Sequence, residues 1–124
     1  MRQTTMKQEM KEELAQCIEA CNNCADECLK TISYCLEQGG KHVGEAHLRL
    51  MIDCVEICRT SANFMLRESE MSMALCKICA DICEQCATSC ESFGQDDAQM
   101  VECANACRAC ATSCRKMAEM AEAD

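Results

Sequence analysis

The stretch CKICADICEQCATSC, residues 76–90, sets five cysteines, Cys76, Cys79, Cys83, Cys86 and Cys90, at alternating steps of three and four. Steps of three and four average close to the 3.6-residue turn of an α-helix, so the five thiols share one helix face. The same rhythm recurs downstream at Cys103, Cys107, Cys110 and Cys114, and upstream at Cys17, Cys21, Cys24, Cys28 and Cys35. The upstream offsets are 0, 4, 7, 11 and 18. Laid over the stretch between them, these offsets select His47, Met51, Cys54, Cys58 and Met65, all soft or borderline metal ligands. Four segments therefore each carry one stripe of ligand atoms.

Breaks between the segments are few. Gly39, Gly40 and Gly44 mark the first, the polar run Arg67 to Ser72 the second, and Gly94 to Asp97 the third. They predict helices over about 5–38, 45–66, 72–92 and 97–122 within one domain, 1–124. The 124 residues include no proline and only three aromatics, Tyr34, Phe64 and Phe93. Long uninterrupted helices are thereby permitted, and little is left to build strands. Asp96 with Gln99 three residues on reads as an N-cap and capping box, and Gly39 and Gly94 suit the left-handed position past a helix end. Short connections make neighbours antiparallel, so the expected fold is all-α: an up-down-up-down four-helix bundle with a Cys-lined core. Leu14, Ile18, Ile32, Leu36, Leu48, Ile52, Val55, Ile78, Ile82 and Val101 lie beside the stripe, placed to knit helices together or to cover a subunit interface.

Bundles ordinarily keep Leu, Ile and Val on such a stripe. Sixteen cysteines in register are a poor substitute as packing alone, because small side chains fill a core less well. Residues three or four apart on a helix have Cβ atoms about 5–6 Å apart, so two thiolates can converge on one ion. Cu(I), a soft ion that accepts low coordination numbers, suits such a pair. The CxxxC pairs are Cys17/Cys21, Cys24/Cys28, Cys54/Cys58, Cys79/Cys83, Cys86/Cys90, Cys103/Cys107 and Cys110/Cys114, with Cys35 and Cys76 left over on the stripe. Two sulfurs per ion and two ions per bridging thiolate tend to about one copper per cysteine. Each Cu⁺ replaces a thiol proton, so filling the core accumulates no charge.

Antiparallel pairing predicts that Cys35, His47, Met51, Cys90 and Met100 cluster at the end holding the first and third loops, an entry for copper, and that Met10, Met65 and Met117 collect at the other. These methionines serve equally as core filler or as accessory ligands. His42, in the Gly-rich loop, reads as solvated, and Met1, Met6 and Met120 as plain terminal residues.

Repeated CxxxC pairs on four helices, with His and Met near one end, resemble the bacterial copper storage proteins over essentially the whole chain, and the lack of a signal peptide resembles their cytosolic branch. The resemblance implies a four-helix bundle filled with thiolate-bound Cu(I), the inward ligand role for all sixteen cysteines, and homotetramers. The second helix departs most from the pattern, with only Cys54 and Cys58.

Other classes leave weaker traces. A net charge of −9 opposes nucleic-acid binding. No segment has the length of a transmembrane helix, and Met1 to Met10 has no apolar core of a signal peptide, so the expected location is the cytoplasm, where thiols stay reduced. A disulfide-stapled bundle remains an alternative through interhelical bridges, since intrahelical ones are geometrically unfavourable. Zinc or cadmium sequestration is another, at about four closed sites for sixteen cysteines. The CxxC spacings Cys21/Cys24, Cys76/Cys79, Cys83/Cys86 and Cys107/Cys110 follow from the three-four repeat without the βαβ context of a thiol oxidoreductase, so no enzyme activity is expected.

Overall fold

In the computed structural model, which describes the backbone of residues 2–123 and the side chains of 7–122, four helices follow the breaks in the sequence. They are α1 (Arg2–Gln38), α2 (Glu45–Leu66), α3 (Ser72–Glu91) and α4 (Ala98–Ala123). Met1 and the side chain of Met6 lie outside the described residues. Helix α1 packs on α2 and α4, and α3 packs on the same two, while diagonal partners stay apart along their backbones. This is the up-down-up-down arrangement. No helix is long and apolar enough to cross a membrane.

The helix ends show how local chemistry sets the connections. Gly39 (φ 69°) and Gly94 (φ 91°) take positive φ just past α1 and α3, Gly39 with an extended ψ of −163° rather than the left-handed helical value expected. The second break has no glycine, and there Glu68 takes the positive φ instead (55°). The first loop is more ordered than its glycines imply, because Gly40–Val43 winds into a 3₁₀ turn.

The N-cap of α4 is Asp97, not Asp96. Its carbonyl accepts the Val101 N–H at 3.0 Å, and its carboxylate accepts the Met100 N–H. Gln99 does not reach back to form a capping box. It donates instead to Glu27 Oε1 and Thr31 Oγ1 on α1, both at 3.0 Å. The Asp97 carboxylate also accepts the Tyr34 hydroxyl at 2.8 Å and meets His42 Nε2 at 2.7 Å, tying α1, the first loop and α4 together.

Between the helices the buried surface is mostly sulfur and alanine. All sixteen cysteines are fully buried, flanked by Ala25, Ala62, Ala80, Ala87, Ala104, Ala111 and Ala118. Of the aliphatics beside the stripe, Val55 is buried and Leu14, Ile18, Ile32, Leu48 and Ile82 pack on the core, whereas Leu36, Ile52 and Ile78 are exposed. Ion pairs run along the outer seams, including Arg115 with Asp81 (2.8 Å) and Glu84 (2.7 Å), Arg108 with Glu91 (2.7 Å), and Arg59 with Asp26. Such exposed pairs contribute little each, so the packing of small side chains is what brings the helices close.

Asp97→Ala is expected to cost about 1–2 kcal/mol through the lost cap, read by urea unfolding at neutral pH. Burial works against the Asp97 carboxylate, but His42, Tyr34 and the Met100 N–H outweigh it and hold its pKa below the ordinary value. Its stabilising contribution is therefore present above the ordinary carboxylate range and lost as the pH falls through the depressed value. Asp97→Asn should flatten that acid limb of the stability profile, and an unchanged limb would contradict the assignment.

Candidate metal centre

The four stripes meet along the bundle axis, where every cysteine is a free thiol. Helical periodicity puts the thiols of each helix on the inner face, and the alanine that follows many of them, as in Cys24-Ala25, Cys79-Ala80 and Cys110-Ala111, keeps the adjoining flank narrow. The closest sulfur contacts are mostly between helices. Cys17 Sγ is 3.6 Å from Cys114, Cys21 is 3.6 Å from Cys110, Cys24 is 3.7 Å from Cys107, and Cys58 is 3.6 Å from Cys83. Among the CxxxC pairs, Cys79 and Cys83 make a comparable contact at 3.9 Å. The helical pairs thus supply the register, and the facing helices supply the nearest partners.

Five groups of thiols have all their sulfurs within 4.8 Å of one another: Cys24/Cys28/Cys54/Cys107, Cys24/Cys54/Cys58/Cys83, Cys58/Cys79/Cys83/Cys110, Cys21/Cys79/Cys110/Cys114 and Cys17/Cys76/Cys114. Neighbouring groups share members, so the sulfurs form one connected path rather than separate cages. Metal–thiolate bonds of about 2.3 Å fit between sulfurs at these separations. No S–S bond joins any of the thiols.

The remaining cysteines, Cys35, Cys86, Cys90 and Cys103, lie toward the end holding the first and third loops. There the donors are mixed. Met51 Sδ sits 3.7 Å from Cys86 and 3.6 Å from Cys90, fully buried and inside the sulfur path rather than at its rim. Cys35 Sγ is 3.8 Å from Met100 Sδ and 3.7 Å from His47 Nε2. Cys103 connects this end to the path through Cys28 at 3.8 Å. The expected clustering of Cys35, His47, Met51, Cys90 and Met100 is therefore observed.

His47 Nδ1 lies 2.7 Å from Ser89 Oγ, and burial lowers the imidazole pKa. In the tautomer that gives Nδ1–H to Ser89, the Nε2 lone pair faces Cys35, the orientation a metal ligand needs. His42 is not solvated. It is bonded to Asp97, its ring centroid is 4.4 Å from that of Phe93, and Tyr34 meets it edge-on at 5.6 Å. Phe93 also packs against His47, the ring centroids 4.9 Å apart and the planes tilted by 56°, so Tyr34, His42, Phe93 and His47 form one aromatic cluster at this end. Sequence reasoning missed Phe93 and Asp97, whose roles come from loop geometry, and Ser89, whose role comes from the packing of α3 on α2. It also passed over the repeated Cys-Ala dipeptide, a signal present in the sequence.

At the other end Met65 Sδ touches Cys76 Sγ at 3.7 Å. Met117 is buried and Met10 is half-buried against the core, and among the described residues neither makes a sulfur contact of this kind.

Hydrogen bonds between neighbouring sulfurs dominate along the path, lowering the Cys17, Cys24 and Cys54 thiols and raising Cys58, while burial acts against the thiolate at each of them. Burial pushes the Cys35 thiol up to about 11, helped by Cys103, Asp97 and Cys86. The metal-free core is a network of thiols whose S–H groups point at neighbouring sulfurs.

Comparison with known proteins places this arrangement. The model of the family described as copper storage protein matches residues 10–119. The crystal structure of a Nitrosospira multiformis protein superposes with a TM-score of 0.82 at 53% identity, covering 88% of this chain and 97% of that one. The Cu(I)-bound copper storage protein BsCsp3 of Bacillus subtilis gives 0.79 at 37% identity, over 86% and 98%. A cytosolic copper storage protein from Streptomyces lividans, with five coppers loaded, gives 0.82 at 26% identity, over 89% and 95%. With its connected path of buried thiols and a family match over nearly its whole length, this chain belongs to the copper storage protein family.

Proposed function

We propose that this chain binds and stores Cu(I), about one ion per cysteine, on the thiolates of all sixteen cysteines, as a single four-helix unit. The observation that carries the reading is the sharing of cysteines between neighbouring groups. Zinc and cadmium favour four ligands of their own, which a shared path does not partition cleanly. A low-coordinate ion with bridging thiolates uses every sulfur more than once. Each Cu⁺ that binds displaces one thiol proton to solvent, so the core stays neutral as it fills. The relatives support this capacity, since BsCsp3 is Cu(I)-bound and the Streptomyces lividans protein has been loaded with 10 copper equivalents. Storage rather than catalysis follows from a metal that is cargo, for sequestration, detoxification or supply.

The cytosolic Streptomyces lividans relative supports a cytoplasmic location. Homotetramer assembly, implied by the family resemblance, is supported by the exposed Leu29, Leu36 and Ile52, apolar surface with no partner inside the bundle. The net charge of −9 supports the absence of a nucleic-acid partner. Met10, Met65 and Met117 act as accessory ligands or filler at the far end, with Met65 best placed through its contact to Cys76.

We assign copper entry to the end with His47, Met51 and Met100. A neutral imidazole or thioether binds Cu(I) without losing a proton, so these groups can pass ions to Cys35, Cys86 and Cys90.

Anaerobic Cu(I) titration of reduced protein against a competing chelator should show strong binding of well over ten equivalents. Saturation at one or two would contradict storage, and saturation of Zn(II) at about four with weak Cu(I) binding would favour the tetrahedral reading. In stopped-flow loading, His47→Ala combined with the volume-conserving Met51→Leu should slow uptake severalfold and leave most of the capacity. An unchanged rate would place entry elsewhere.

A further inference from the structure

One position in the middle of the α2 stripe carries oxygen where its neighbours carry sulfur. At steps of three and four the stripe runs Cys54, Cys58, Ser61, Met65, and Ser61 is completely buried. Among the described residues its hydroxyl is the one buried side-chain oxygen or nitrogen with no hydrogen-bond partner. Other hydroxyls on or near the stripes are satisfied. Thr31 donates to the Glu27 carbonyl at 2.8 Å and accepts from Gln99, and Ser72 donates to the Ser69 carbonyl at 2.8 Å. A helical hydroxyl can always turn back to the carbonyl four residues earlier, as Thr31 and Thr88 do. Ser61 forgoes that bond and carries the cost of an unpaired buried group.

Its place along the axis suggests what the hydroxyl is for. One turn before it, Cys58 lies 3.8 Å from both Cys79 and Cys110 and 3.6 Å from Cys83. One turn after it, Met65 caps Cys76. Ser61 thus stands between the most connected thiols and the far end of the path. The sulfur of a neutral thiol is a weak acceptor, whereas a thiolate carries the negative charge that makes hydrogen bonds short and strong.

We propose that Ser61 is a positioning residue whose hydroxyl donates to a copper-bound thiolate of the group around Cys58, so that loading satisfies a polar group left unpaired in the empty core. The assignment rests on the Cu(I) reading of the core. No electron moves in it: copper displaces the thiol proton, and the serine O–H turns toward the sulfur that lost it. The empty bundle is thereby less stable than its packing would allow, and the filled one is held more tightly.

Thermal unfolding of the metal-free full-length chain and competitive Cu(I) titration, with wild type, Ser61→Ala and Ser61→Cys side by side, test this. Ser61→Ala should melt about 3–6 °C higher than wild type when metal-free. It should also hold its tightest copper about tenfold less well, the loss expected for a hydrogen bond to a charged sulfur. Ser61→Cys completes the stripe with a further thiol and should raise capacity by about one Cu(I). A Ser61→Ala protein that melts lower when metal-free, or that keeps wild-type copper affinity, overturns the proposal, as does Ser61→Cys with no gain in capacity. Wild-type protein that fails to load removes the storage reading as well, and that failure is distinguishable because it does not depend on residue 61.

Discussion

Four helices can share a sulfur-lined axis only if they approach closely enough for thiols on facing helices to touch. Cysteine and alanine are small, so this bundle loses the interdigitating bulk that Leu and Ile give an ordinary core. In exchange its sulfurs lie 3.6–4.0 Å apart across helix boundaries. Every other feature follows from that spacing. The seams are knitted by half-buried aliphatics and exposed ion pairs, the ends are closed by larger side chains such as Met65 and Met100, and the helices stay uninterrupted because no proline occurs in the chain.

Electrostatics set how the core can be used. A lone thiolate in this interior is strongly disfavoured, which keeps the empty path neutral. A monovalent ion that arrives as a proton leaves preserves that neutrality at every degree of filling. A divalent ion satisfied by four thiolates would leave net negative charge buried at each site, a further reason why a shared path suits Cu(I) better than zinc. Mixed donors at one end fit the same logic. Imidazole and thioether groups need lose no proton to bind, so they can receive an ion before any thiol has been deprotonated.

Most of this was legible in the sequence because the helical repeat is physical and strict. Cysteines at steps of three and four on Cys76–Cys90 leave no other regular structure that buries them all on one side, and overlaying the cysteine offsets of α1 on α2 found His47, Met51 and Met65, with only Cys54 and Cys58 to fix the register. Helix limits shifted by only a few residues. The errors lie where the chain leaves the repeat. Asp97 rather than Asp96 caps α4 because it alone meets Tyr34 and His42, contacts between residues 55 and 63 positions apart. His42 is held for the same reason, its loop folding onto Phe93 in a way that no local pattern encodes. The dominance of interhelical over intrahelical sulfur contacts was also hidden, since it depends on how closely the alanines let the helices approach.

The central claim is that the ions occupy the thiol path itself rather than the surface or the ends. Diffraction from crystals of the loaded protein, measured on either side of the copper absorption edge, tests it most directly. A row of copper peaks along the bundle axis, each flanked by cysteine sulfurs from two or more helices and continuing through the groups around Cys24, Cys58 and Cys110, is the predicted result. Peaks confined to the His47 or Met65 ends, with the central cysteines still free of metal, would contradict the account.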